Sequence, residues 1–148
     1  LGLDVVVNGT LATRDSFPAA ARLVTDDCDY AALCPGSEDF VVIATQHKGD
    51  HRSIKRALTS SVGYIALIAS RKRSQLVLDD LRREGLGEQD VDRVMAPCGL
   101  DLGARTPEEI ALCVMSEIVM VRRHGSGRRL RDTRRDEQDK PGPAAAAG

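Results

Sequence analysis

Phe40-Val41-Val42-Ile43-Ala44-Thr45 and Tyr64-Ile65-Ala66-Leu67-Ile68-Ala69 are two apolar runs without polar alternation. Runs of this kind are expected of parallel strands covered by helices on both faces. Between them, Asp50 to about Ser60 reads as a helix with Ile54, Ala57 and Leu58 facing inward. Ser70 follows the second run directly and is placed to cap the next helix. That helix runs to Arg83, with Leu76, Leu78 and Leu81 among its apolar residues, and Gly85 stops it. Strand, helix, strand and helix in this order predict an α/β sandwich with a mainly parallel sheet.

Upstream, Asp4-Val5-Val6-Val7 is a short β-rich run ending in the turn signal Asn8-Gly9. Arg22-Leu23-Val24 is a second strand candidate, and Tyr30 to Leu33 offers one helical turn before Pro35-Gly36. Downstream, a short helical segment around Asp90 to Val94 precedes the irregular run MAPCGLDLGAR. Thr106-Pro107-Glu108-Glu109 then opens the last helix, with Thr106 as cap, Pro107 in the first turn and Glu109 completing a capping box. Ile110, Val114, Ile118 and Val121 recur on one face, and Arg122 and Arg123 suit the negative end of the helix dipole. From His124 the composition changes to mixed charge followed by Pro, Gly and Ala, with Leu130 as the only large apolar residue. Residues 1–123 therefore read as one domain and 124–148 as a disordered, solubilising tail.

The composition excludes several classes of function. Apolar residues make up 42% of the 148, yet Trp is absent and aromatics reach 3%, so Leu, Val, Ile and Ala must build the core. A formal net charge of -1 gives no electrostatic case for nucleic acid, and few aromatic rings are available to stack on bases. No apolar stretch approaches the length of a membrane span, and the first residues lack a basic, apolar leader. Cys28, Cys34, Cys98 and Cys113 show no CxxC spacing, which favours a reduced cytoplasmic protein over a disulfide scaffold. His47, His51 and His124 form no recognised zinc pattern.

From Phe40 to Arg122 the chain resembles the C-terminal Rossmann domain of the XdhC/CoxI family, the accessory proteins of xanthine dehydrogenase and carbon monoxide dehydrogenase. The runs FVVIATQHKGDHRSIKRAL, YIALIASRKR and, most specifically, APCGLDLGARTPEEIALCVMSEIV carry the resemblance. LGLDVVVNGT resembles the family's second strand and FPAA its following loop. The resemblance implies a Rossmann-like three-layer sandwich lacking its first strand and Gly-rich loop, since GxGxxG occurs nowhere in the sequence. In the usual strand order the missing strand is the central one, so an open edge that promotes self-association is expected. The resemblance also implies a maturation factor or chaperone module, an assembly protein rather than a catalyst. Such a module assists binding of molybdenum cofactor (molybdopterin), its sulfuration or its insertion. The implied partners are a cysteine desulfurase and the large subunit of a molybdenum hydroxylase. The alternatives are a nucleotide-dependent Rossmann oxidoreductase, for which NAD(P) is disfavoured by the absent GxGxxG, and a non-functional fragment.

In open α/β sheets ligands approach the carboxyl ends of the strands. That edge should carry Asn8, the Thr45-Gln46-His47 run and Ser70-Arg71-Lys72. The cofactor-binding candidates are Ser70, Arg71, Lys72, Asp50, Asp101, Arg105 and Asn8. Ser70 and the first free amides of its helix suit an anion, and Arg71 adds a planar fork. Arg73 turns to a different side of the helix from Lys72. Asp50 matches an acidic position of the family and also suits a capping role at a helix start. Asn8 stands where the family usually has an acid, and Asn-Gly is also a good turn. Gln46 replaces a common His and Ala69 a Gly of the family. Cys98 lies in the most family-like loop, either as a sulfur-handling thiol or as an incidental small residue. Glu117 approaches the inner face of the last helix and needs a partner, for which Arg105 and Arg71 are the candidates.

Overall fold

The computed structural model describes residues 1–25, 27, 30–45 and 49–133. It divides into two compact units, Leu1–Cys98 and Gly99–Gly148. The first unit holds β1 (Val6–Asn8), β2 (Arg22–Val24), β3 (Phe40–Ile43), α1 (Asp50–Thr59), β4 (Tyr64–Leu67), α2 (Arg71–Arg83), α3 (Glu88–Val91) and β5 (Val94–Met95). All described strand pairs are parallel, but they form two sheets: β1 with β2, and β3, β4 and β5 in that order. The chain is thus α/β with parallel sheets, as its alternating elements predict.

Chain direction explains why one face of the second sheet is packed. Two successive right-handed crossovers, β3 to β4 and β4 to β5, move in one direction and carry their helices to the same face. Burial agrees, because Ile54 and Ala57 of α1, Val77 and Leu81 of α2 and Val91 of α3 form one core with Ile43, Ile65, Leu67 and Val94. The periodicity correctly placed Ile54 and Ala57 inside, whereas Leu76 is 46% exposed and Val77 takes the buried position. β4 is buried along its whole length, as a central strand must be. β3 differs from the expectation of two covered faces. Among the described residues it is the end strand of its sheet, and Val42 is 39% exposed.

Val94–Met95 is a strand where the sequence suggested the end of a helix and an irregular run. Two residues are too few for a period of two to register. Pairing with β4, Ile65 against Val94 and Ala66 against Met95, decides the outcome. Arg93, just before it, donates to the carbonyls of Leu58 and Val62 at 3.2 and 3.4 Å and thereby ties down the end of α1.

The second unit contains the loop 99–106 and α4 (Pro107–Arg123). Its capping box forms as the sequence predicts, with Pro at the helix start. Cys113, Val114 and Ile118 are buried, while Ile110, in the first turn, is 38% exposed. His124 ends α4 in the left-handed conformation, and the Gly125 amide donates to the Met120 carbonyl. Of the predicted tail, residues 134–148 lie outside the described residues. No helix among the described residues is long and apolar enough to cross a membrane.

Candidate functional site

The carboxyl ends of β3 and β4 lead into the N-termini of α1 and α2, so the first-turn amides of both helices gather at one edge of the sheet. Gly49 turns the chain into α1 with φ of 92°, a conformation that favours glycine. Asp50 follows as the first helical residue and is only 2% exposed. Its carboxylate accepts from the Thr45 hydroxyl and, at 3.1 Å, from Nη2 of Arg73. A carboxylate so enclosed requires compensation, and these two donors supply it.

Arg73 is held twice. Its backbone amide donates to the Ser70 hydroxyl at 3.2 Å, and its side chain reaches across to α1. Nε of Arg73 and the hydroxyl of Ser74 are both buried without a hydrogen-bond partner. Ser70, Arg71 and Lys72 are exposed at this end of α2. The structure therefore gathers Asp50, Ser70, Arg71 and Lys72 of the predicted set, and adds Thr45 and Arg73. Sequence reasoning turned Arg73 away from Lys72, and this is the side of α2 that meets α1. The available signal was the spacing of Ser70, Arg73, Ser74 and Val77, which places Arg73 on the inner stripe.

His51 points elsewhere, with Nε2 3.5 Å from Asp80 on α2, and Lys55 pairs with Glu84 beside it. Lys55 holds the Glu84 carboxyl below the usual carboxylate range. Gln46 and His47 lie outside the described residues, and among the described residues no cluster of His, Cys, Asp and Glu could hold a metal ion.

Asn8 ends β1, in the other sheet. Its side-chain amide donates to the Asp27 carbonyl at 3.0 Å, and its oxygen accepts from the Asp27 amide at 2.9 Å. Both functions of the amide are thus engaged in shaping a turn. Asp27 itself was not singled out by the sequence reading. Its carboxylate receives the backbone amides of Ala31, Ala32 and Leu33 at 2.9 to 3.0 Å, the geometry of a cap. Several acidic residues precede Ala31, and spacing alone does not single out this one.

Asp101 and Arg105 belong to the second unit and are both exposed. The Glu117 carboxylate accepts the Gly99 amide at 2.8 Å, a backbone partner that a search among Arg residues overlooks. Cys98, at the end of the first unit, is half-buried, and its amide donates to the Leu67 carbonyl. Glu109 accepts the amides of Arg105 and Thr106 at 2.7 and 3.0 Å. These bonds hold its carboxyl below the usual range. A depressed carboxyl stabilises the fold above its unfolded pKa, about 4.3, and loses that contribution as pH falls through the folded value. Glu109→Gln should therefore be less stable than the parent at pH 7, with the difference vanishing in acid. Urea midpoints measured from pH 7 to 3 check this, and a gap that persists at pH 3 would contradict it.

Residues 1–118 match the family described as the XdhC Rossmann domain. The chain is 35% identical over 118 residues to the "Uncharacterized protein YqeB" of Escherichia coli strain K12, covering 80% of this chain and 20% of that protein. It is 33% identical over 128 residues to a probable xanthine dehydrogenase subunit of Bacillus subtilis strain 168, covering 82% and 37%. A crystal structure of a xanthine dehydrogenase from Bacillus halodurans superposes with a TM-score of 0.67 at 25% identity, covering 80% of this chain and 35% of that one. The chain spans between a fifth and two fifths of the length of these relatives.

Proposed function

The chain belongs to the XdhC Rossmann-domain family, and we propose that it is the binding module of a maturation factor that holds molybdenum cofactor for a molybdenum hydroxylase. The observation that carries this reading is the N-terminus of α2. Its first amides lie at the ligand edge of a parallel sheet, capped by Ser70 and flanked by the exposed cations Arg71 and Lys72.

The residues present fit the phosphate end of a pterin cofactor. The amides of a helix N-terminus and a guanidinium fork are donors, and an ionised phosphate offers acceptors. Nε of Arg73, buried without a partner, adds a donor at the same helix end. Ser70 and Arg71 would hold the phosphate, Lys72 would add charge, and Asp50 would act through Arg73 by fixing α2 against α1. When bound, the cofactor supplies redox chemistry to the enzyme that receives it. The residues of this chain bind and orient it. The client is the large subunit of a molybdenum hydroxylase, and a cysteine desulfurase is the sulfur donor that sulfuration requires. Asp101 and Arg105, in the loop that most resembles the family, are proposed as further contacts to cofactor or client.

The test is a titration of the protein with isolated molybdenum cofactor at fixed salt. Arg71→Ala should weaken binding about tenfold or more, the value of one charge-assisted contact. Circular dichroism should remain unchanged. An unaltered dissociation constant would remove Arg71 from the site, and no binding by parent or variant would remove the reading.

A further inference from the structure

Beyond α4 the chain turns back on the helix it has just left. His124 takes the left-handed conformation, and the Gly125 amide donates to the Met120 carbonyl at 2.8 Å. At Gly127 φ is 69°, and a Cβ there would lie 2.9 Å from Sδ of Met120 and 3.6 Å from Cδ2 of Leu100. Glycine lets the backbone come this close. The chain is thus held against the end of α4 just before Arg128, Arg129 and Arg131. A turn follows, in which the Asp132 amide donates to the Arg129 carbonyl and the Thr133 hydroxyl to the Leu130 carbonyl, both at 2.8 Å.

One end of α4 therefore carries Arg122 and Arg123 from the helix and Arg128, Arg129 and Arg131 from the returning segment, all exposed. No acidic residue occurs between Glu117 and Asp132. Asp132 is shared by Arg129 and Arg131, at 2.8 and 3.5 Å. The helix dipole accounts for Arg122 and Arg123. It does not account for the other three, which lie past a helix end where the Met120 and Val121 carbonyls already accept amides. In a chain of net charge -1, five guanidinium groups against one carboxylate concentrate positive charge at one place, and their repulsion opposes it. A partner of opposite charge relieves that repulsion.

We infer that this end of α4 is a docking surface for a protein that presents a carboxylate-rich face. Guanidinium forks match carboxylates through paired hydrogen bonds, and Arg is enriched in protein interfaces. Leu130, 82% exposed between Arg129 and Arg131, supplies an apolar element that a protein pocket can bury and a phosphate backbone cannot. No Phe, Tyr or Trp follows Tyr64 in the sequence, so the surface has no ring to stack on exposed bases. A single leucine is also too little apolar surface to anchor the segment in a bilayer. This inference concerns assembly and is independent of the proposed cofactor role.

The probe is a fluorescent acidic peptide of Glu, Asp and Leu, titrated with the full chain and followed by anisotropy. At about 50 mM salt half-saturation is expected between about 10 and 100 µM, and binding should weaken steadily toward about 300 mM. Arg123→Glu and Arg128→Glu, made singly, should each raise the dissociation constant about tenfold or more, because like charges then face each other. Leu130→Ala leaves the charge unchanged and should raise it about threefold. Arg83→Glu, the same charge change on α2 of the first unit, should leave it within about twofold. Circular dichroism should be unaltered throughout, since all four side chains are exposed. If a Glu variant unfolds, Gln at the same position removes the charge and should weaken binding in the same direction. Absence of binding overturns the proposal, and so does a loss at only one of the two arginines. An equal loss for Arg83→Glu, or indifference to Leu130→Ala, overturns it too, because charge alone is then responsible. Tighter binding to duplex RNA or to phosphatidylserine vesicles than to the peptide would make the partner a phosphate surface, which also overturns it.

Discussion

Replacing Arg73 with Met should destabilise the protein by about 3–5 kcal/mol, the usual consequence of leaving a buried charge without its partner. The expectation rests on an asymmetry. Asp50 is 2% exposed, while the Arg73 side chain is 29% exposed. When Arg73 is lost, the carboxylate stays enclosed without the guanidinium that neutralises it, and the neutral Thr45 hydroxyl still donates to it. When Asp50 becomes Asn, the guanidinium can recover hydration at its open side, and the loss should be nearer 1–2 kcal/mol. Since small domains have about 5–15 kcal/mol to spare, both changes register in urea unfolding, and Arg73→Met accounts for a large share. A double variant, Asp50→Leu with Arg73→Met, should recover much of the loss because no charge remains buried. Equal costs for the two single changes, or a more costly Asp50→Asn, would show that the pair is not what joins α1 to α2 here.

This pair also shows how far the sequence could be read. The class of fold was legible because long apolar runs alternate with amphipathic ones, and Tyr64 to Leu67 behaves as a central parallel strand should. The start of α4 was legible to the residue because a capping box is a local device, with every partner within three residues. Asp50 was legible as an acid at a helix start, but its partner was not. Arg73 lies 23 residues away, and only the packing of α1 against α2 brings them together. β5 was missed for a related reason, since two residues become a strand through pairing with β4 rather than through any pattern of their own. Asn8 had two readings, and the choice depended on Asp27, 19 residues distant, whose backbone engages both ends of the side-chain amide.

Gly99 sits where the loop that most resembles the family begins, and Gly99→Ala is expected to cost about 2–4 kcal/mol in the second unit, from backbone strain and overpacking together. The backbone has φ of 100°, where an Ala is strained by about 1 kcal/mol or more. A Cβ at this position would also lie 3.1 Å from the Cys113 Cβ and 3.2 Å from both the Cys113 carbonyl carbon and the Val114 nitrogen. Two of those three atoms are backbone of α4, which cannot rotate away, so the loop or the helix must shift by a few tenths of an ångström. Overpacking of this kind costs about 1–3 kcal/mol. The shift would fall on two hydrogen bonds at the same place, Gly99 amide to Glu117 and Leu100 amide to the Cys113 carbonyl. Gly103 provides the control, because its φ is 76° and a Cβ added there would meet nothing within 4 Å. Gly103→Ala should therefore show the backbone strain alone, about 1 kcal/mol. Chemical denaturation of both variants, with amide exchange at Leu100 as a local probe, measures the difference. If the two substitutions cost the same, close approach to α4 is not the reason that glycine occupies position 99.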